Sequence, residues 1–282
     1  MPTLELILAV PDALREQAIA HLDANGATGF LEDDGGLRSY VPEGPEADAL
    51  VEAARGWLDA HGLPADVAVR EIADENWNAA YEATLGPIVV PPFLVRPSWA
   101  EVPPDVDGLI EIVIDPKMSF GTGYHESTRL VLGLLPPLIQ PGDRVLDAGC
   151  GTGILAIAAL KLGAASALAF DVDTWAEENA AENFARNGVA DRAEVRIGSV
   201  EVVPEAGFDV VLANIHREVL LELMPELSRR VRPGGYLVLA GLLRTDADTM
   251  REAVRDAGLS GVAEAEEGAW WAWAGVKAGV EK

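Results

Sequence analysis

Val145-Leu146-Asp147-Ala148-Gly149-Cys150-Gly151-Thr152-Gly153 is the stretch that decides the fold. Val145 to Ala148 has the apolar character of a short buried strand. Ile154 to Leu162 reads as the helix that follows. The glycines between them let the backbone turn tightly and bring its amides close to a ligand at a helix N-terminus. Asp171 lies 22 residues beyond Gly149, at the end of the next strand. A carboxylate there can accept hydrogen bonds from both hydroxyls of a ribose. Ligands of such sheets bind beyond the carboxyl ends of the strands. A nucleoside-containing cofactor is therefore expected. The competing reading, a glycine turn that only packs helix on strand, does not account for the place of Asp171.

Working outward, Ile110–Ile114, Arg144–Ala148, Ala167–Phe170, Glu194–Ile197, Val210–Ala213 and Tyr236–Ala240 read as strands. Helices are expected at Glu126–Leu135, Ile154–Leu162, Trp175–Asn187 and Arg217–Val231. Strands alternating with helices predict a parallel sheet covered on both faces. The strand-like run Ala269–Val276 has no helix after it, so an antiparallel edge strand is expected to finish the sheet.

The N-terminal part has a different grammar. Leu4, Leu6, Leu8 and Val10 alternate as in a strand, and Pro11-Asp12 opens a helix that Asn25-Gly26 closes. Thr28–Leu31 and Leu37–Val41 read as paired strands, Glu46–His61 as a helix and Val67–Ile72 as a last strand. Strand–helix–strand–strand–helix–strand is the ferredoxin-like α+β pattern. Asp74–Leu85 reads as a short helix with Trp77 and Tyr81. The following 18 residues, 87–104, hold six prolines, which are incompatible with a regular helix or central strand. The expected organisation is a small domain over 1–72, a connector over 73–108 and a nucleoside-binding domain over 109–282. Trp77 and Trp99 read as packing residues.

With 282 residues and 49% hydrophobic content, the chain is long and apolar enough for a substantial core. No apolar run approaches the roughly 18 residues needed to cross a bilayer. Glu5 interrupts the first apolar stretch and no basic leader precedes it, so no signal peptide is expected. A single cysteine, Cys150, allows no internal disulfide, which suits a reducing cytoplasm. Against 21 basic residues stand 46 acidic ones, for a net charge of -25. That sign disfavours nucleic acid and attracts basic partners, unless acidity serves solubility alone. Residues 1–72 carry 4 basic and 14 acidic residues and no catalytic constellation. Binding or architecture is their expected role.

The dinucleotide fingerprint has the spacing G-x-G-x-x-G. Here the motif is Asp147-x-Gly149-x-Gly151-x-Gly153, with Ile at 154. A carboxylate just before the loop suits the cationic amino-acid end of S-adenosylmethionine better than a pyrophosphate, and Pro233-Gly234-Gly235 precedes a later strand. These features resemble the class I methyltransferase fold, a Rossmann-like seven-stranded sheet. Two more segments narrow the likeness: Asp115-Pro116-Lys117-Met118-Ser119-Phe120-Gly121-Thr122-Gly123-Tyr124-His125-Glu126-Ser127-Thr128, and Leu212-Ala213-Asn214-Ile215. With residues 149–164 they resemble the ribosomal protein L11 methyltransferases, the PrmA type, closely over 109–277 and more loosely in the N-terminal domain.

That resemblance implies methylation of amino groups, on lysines and the N-terminus, of a basic large-subunit ribosomal protein. It implies a substrate-recognising N-terminal domain and cofactor contacts at Thr128, Gly149, Asp171 and Asn214. It also implies a lid over Phe120, Gly121, Thr122 and Gly123. Tyr124 and Glu126 stand where relatives often have small residues or Pro. Asn214 would orient the attacking amine. His125 reads first as a helix cap or packed residue. His21, His61 and His216 lack ligand spacing, so no metal is expected. The expected protein is a cytoplasmic monomer without direct nucleic-acid or membrane partners. A methyltransferase for another protein or a small molecule, a cofactor-binding ribosome-assembly factor and an NAD-linked oxidoreductase are the alternatives.

Overall fold

The structure is a computed structural model that describes residues 3–33, 36–72, 85–115, 117 and 119–279. It divides into two compact units, residues 1–77 and 78–282. The helix expected over Asp74–Leu85 lies, except for Leu85, outside the described residues.

In the first unit the elements run β1 (Thr3–Leu8), α1 (Asp12–Asp23), β2 (Gly29–Asp33), β3 (Gly36–Pro42), α2 (Pro45–Ala60) and β4 (Val67–Ile72). The sheet order is β2-β3-β1-β4 and each pairing is antiparallel. This is the ferredoxin-like arrangement expected from the element order. Alternation along β1 sends Leu6 and Leu8 into a core with Leu22 of α1, Leu37 of β3 and Leu50 and Leu58 of α2.

The second unit begins with a small sheet of β5 (Ile88–Val90), β6 (Phe93–Arg96) and β7 (Ile110–Val113), in the order β5-β6-β7. This corrects the expectation that the proline-rich stretch holds no central strand. Pro91 and Pro92 end before β6 and Pro97 follows it, so the prolines bracket the strands and interrupt no ladder. Phe93, Val95 and Ile112 are buried in the core of the unit. The Ile110 strand thus belongs to this sheet and not to the large one.

The rest alternates α3 (Glu126–Leu134), β8 (Arg144–Ala148), α4 (Ile154–Lys161), β9 (Ser166–Asp171), α5 (Thr174–Arg186), β10 (Ala193–Ile197), β11 (Phe208–Asn214), α6 (Arg217–Arg230), β12 (Val231–Leu243), α7 (Ala247–Asp256), β13 (Leu259–Glu267) and β14 (Trp270–Lys277). The seven-stranded order is β10-β9-β8-β11-β12-β14-β13, with β14 antiparallel to both its neighbours. Successive residues of β8 feed opposite faces: Val145 joins one hydrophobic cluster and Leu146 the other. The strand therefore buries apolar residues on both faces, as central parallel strands do.

One expectation about this sheet fails. The final strand is antiparallel, but it is not the edge. β13 forms the edge, and β14 is inserted between it and β12. Trp271, Ala272, Trp273 and Ala274 are all buried, as in a strand paired on both edges and covered on both faces. β13, with Ala263, Glu264, Ala265 and Glu266 in alternation, has the charged character of an edge.

Candidate functional site

A cavity of about 390 Å³ opens at the carboxyl ends of β8, β9 and β11, within the range for small-molecule sites. Five of the residues expected to hold cofactor lie on its wall: Phe120, Gly149, Gly151, Asp171 and Asn214. Five do not: Gly121, Thr122, Thr128, Asp147 and Gly153. The division follows from what each does in the turn.

The turn after β8 is locked from several sides. Gly149 N and Cys150 N both donate to Phe170 O, at 2.9 and 3.1 Å. Gly151 N donates to Asp171 Oδ2 at 2.8 Å, and Asp173 N donates to Asp171 Oδ1 at 3.0 Å. Two backbone amides thus fix the Asp171 carboxylate at the cavity, and each oxygen keeps a second lone pair for a ligand. Gly151 has φ of +51°, and a Cβ there would lie 2.1 Å from Phe120 O. Gly153, with φ of +78°, opens α4, and its Cβ would lie 2.7 Å from the Phe184 ring. Both positions require glycine for conformation and for space.

The segment expected as a lid rests directly on this turn. Thr152 N donates to Phe120 O at 2.8 Å, and the Thr152 hydroxyl donates to Gly121 O at 2.5 Å. Phe120 is exposed and faces the cavity. Its ring lies 5.2 Å from His125, which in turn meets Trp270 edge-on at 4.4 Å. His125 is the N-cap of α3, its Nδ1 accepting from Ser127 N at 3.2 Å. It is thus the cap expected from sequence and also part of the cavity wall. Arg129 braces the same corner, donating to Tyr124 O and gripping Glu267 at 2.5 Å.

Asn214 ends β11 on the wall. Its amide donates to the Thr128 hydroxyl at 3.3 Å, while its side-chain oxygen is buried without a partner among the described residues. Ser119 Oγ, also on the wall, is likewise unpartnered. Buried polar atoms are rarely left so. Two orphans on one wall are what a polar ligand would satisfy.

Asp147 is fully buried behind the wall. Ala156 N donates to its Oδ2 at 3.1 Å, and Oδ1 has no partner among the described residues. Burial pushes this carboxyl up to about 7, with the Asp171 charge adding and the Ala156 amide opposing. Full burial puts it out of the wall, so the expected contact with a cationic cofactor end is not made at the cavity surface. Burial also pushes the Cys150 thiol well above its ordinary range, which disfavours a nucleophilic thiolate.

Sequence reasoning missed Ser119, Ser199, His216 and Trp270 on the wall. Ser199 could have been found, since Gly198-Ser199 follows β10 on the ligand side of the sheet. Trp270 carries no local signal; only the insertion of β14 brings it there. The glycine turn, the carboxylate Asp171 and the volume of the cavity fit S-adenosylmethionine.

The model of the family described as ribosomal protein L11 methyltransferase (PrmA) matches residues 8–278. The ribosomal protein L11 methyltransferase of Chlorobaculum tepidum is 39% identical over 274 residues, covering 95% of this chain and 94% of that one. That of Thermus thermophilus is 41% identical over 251 residues, covering 87% and 88%. Among solved structures, the ribosomal protein L11 methylase of Lactobacillus delbrueckii subsp. bulgaricus aligns with a TM-score of 0.64 at 28% identity. It covers 68% of this chain and 99% of that one. With the match spanning both units, the chain belongs to the ribosomal protein L11 methyltransferase (PrmA) family and is an S-adenosylmethionine-dependent methyltransferase of the class I fold.

Proposed function

We propose that the protein methylates amino groups of ribosomal protein L11, on lysine side chains and the N-terminus. The observation that carries this reading is the unpartnered Asn214 carbonyl on the wall of the cavity. Bound S-adenosylmethionine supplies an electrophilic methyl carbon on a sulfonium. Asp171 would accept the ribose hydroxyls, and the turn at Gly149 and Gly151 would let the backbone approach the ligand. Phe120, beside His125, would cover the reacting end and exclude water.

An amine attacks only through its lone pair, and a lysine amine is protonated near neutrality, with a reference pKa of about 10.4. Asn214 Oδ1 accepts a hydrogen bond from the arriving ammonium and keeps hold of the amine once a proton has left to water. The lone pair is thereby aimed along the line of displacement. With the cofactor held there, the nitrogen–carbon bond would form as the carbon–sulfur bond breaks, and the remaining surplus proton would leave to water. Catalysis is positioning, and no strong base is needed.

Residues 1–72 would hold the substrate. Their excess of 14 acidic over 4 basic residues favours encounter with a basic protein. The reading places the protein in the cytoplasm, acting as a monomer. The test is mass spectrometry of recombinant ribosomal protein L11 after incubation with the full chain and S-adenosylmethionine. Methyl increments on lysine and N-terminal amines are expected; an unmodified substrate would contradict the proposal.

A further inference from the structure

Three asparagines stand one turn apart, Asn179 and Asn183 on α5 and Asn187 at its C-cap, so they share one face of the helix. They grip the end of β7 as a neighbouring strand would. Asn187 clasps Val113, with Oδ1 accepting from Val113 N at 2.9 Å and Nδ2 donating to Val113 O at 2.7 Å. Asn183 clasps Asp115 in the same way, at 3.1 and 3.3 Å, and Asn179 Nδ2 adds a bond to Asp115 O at 2.9 Å. Asp115 is itself anchored: Ser98 donates to its carboxylate from both N and Oγ at 2.8 Å, and Arg186 pairs with it at 3.0 Å.

The second Nδ2 bond of Asn187 goes to Asn183 O, at 2.8 Å, and Asn187 is only partly buried; Asn183 differs in both respects. Its Nδ2 also donates to Thr152 O at 3.1 Å, inside the glycine turn. Both Asn183 and Thr152 are fully buried, so no water can replace that bond. The next residue, Phe184, fills the space that a Cβ on Gly153 would need. The same stretch of α5 therefore sets the position of the turn by a hydrogen bond at Thr152 and by contact at Gly153. Through Thr152 it also sets the backbone of Phe120 and Gly121.

We infer that Asn183 is a positioning residue for cofactor binding, holding the glycine turn at the correct height against the cavity from outside it. The inference rests on the reading of the cavity as the cofactor site. Without the Asn183 amide, Thr152 O is left buried and unpaired, and the turn must shift to recover a partner. The amides and glycines that face the ligand then move with it.

The test compares Asn183→Ala with Asn187→Ala in the full chain, by calorimetric titration with S-adenosylhomocysteine and by thermal melting. Each variant removes a bidentate clasp on the chain at or just after β7, so both should lower the melting temperature. Affinity should fall about tenfold for Asn183→Ala and less than about twofold for Asn187→Ala, where tenfold is about 1.4 kcal/mol. Asn183→Asp keeps the shape and the acceptor for Asp115 N but cannot donate to Thr152 O. It should show the same loss of affinity, and it serves if the alanine variant does not fold. Equal losses at 183 and 187, or unchanged affinity in Asn183→Asp, would overturn the inference. Asp171→Ala in the same series separates the two levels. If it too leaves affinity unchanged, the reading of the cavity fails and the inference with it. If it alone weakens binding, only the role of Asn183 fails.

Discussion

Glu5 in the smaller unit and Asp147 in the larger are both buried carboxylates on strands, and their surroundings push them in opposite directions. Glu5 lies between Tyr40 and Arg70 in the cross-strand register. The Tyr40 hydroxyl donates to it at 3.1 Å, Arg38 at 3.4 Å, and Arg70 pairs with its other oxygen. Burial alone would raise its pKa, but the hydrogen bonds from Arg70, Tyr40 and Arg38 outweigh burial and hold it below the ordinary value. Asp147 has one backbone amide and an orphan oxygen, and burial raises it to about 7. The first carboxylate is compensated within its own sheet. The second is not, and it lies directly before the glycine turn. The buried carboxyl left uncompensated lies in the unit that holds the cavity, while the buried carboxylate of the smaller unit is paired.

The comparison breaks most severely if the two units share one job. A chain beginning at residue 73 should keep its S-adenosylmethionine affinity within about twofold, about 0.4 kcal/mol, while methylation of ribosomal protein L11 falls below detection. Calorimetry and mass spectrometry read the two arms. Full methylation by the shortened chain would overturn the recognition role of residues 1–72.

The next largest effect is on stability. From 3.8 to about 7, the shift of Asp147 is worth at most about 4 kcal/mol. Well below the ordinary value of 3.8 both states are protonated and there is no penalty. Between about 4 and 7 the unfolded carboxyl ionises while the folded one stays neutral, so the wild type loses stability as pH rises. Asp147→Asn removes that loss. Its advantage over wild type in urea midpoints should grow from pH 4 to pH 8.

Asn214→Ala should lower single-turnover methylation at saturating cofactor about 100-fold, the scale expected when a reacting group is misplaced. Cofactor affinity should fall far less. An unaffected rate would leave Asn214 with only its bond to Thr128.

Glu5→Gln should have the smallest effect, about 1.5 kcal/mol at pH 7, from weaker hydrogen bonds. Its pH dependence has the opposite sign to that of Asp147. The folded pKa is depressed, so the contribution is present above the ordinary value of 4.5 and is lost as pH falls through the folded value. The gap between Glu5→Gln and wild type should close in acid.

Local signals were readable in the sequence. The glycine turn, Asp171 and the helices α3, α4, α5 and α6 follow from residue spacing within one strand–turn–helix unit, with ends within one residue of expectation, whereas α7 and β13 were not read. Long-range placement was not. Nothing near Trp270 announces that β14 inserts beside β12 and carries the ring to His125. Prolines at 91, 92 and 97 mask short strands because composition over 18 residues cannot show that they fall between ladders. Asp147 was found as a motif residue, but its full burial depends on α4 closing over it.

The roles of Asp171, Asn214 and Asn183 all require the cofactor to occupy the cavity at Asp171. Calorimetric titration of Asp171→Ala with S-adenosylmethionine tests this most directly. Loss of hydrogen bonds to a charged acceptor, about 1.5–3 kcal/mol, predicts a fall in affinity of roughly 10–150-fold in a variant that melts as the wild type does. Wild-type affinity in that folded variant would contradict the account.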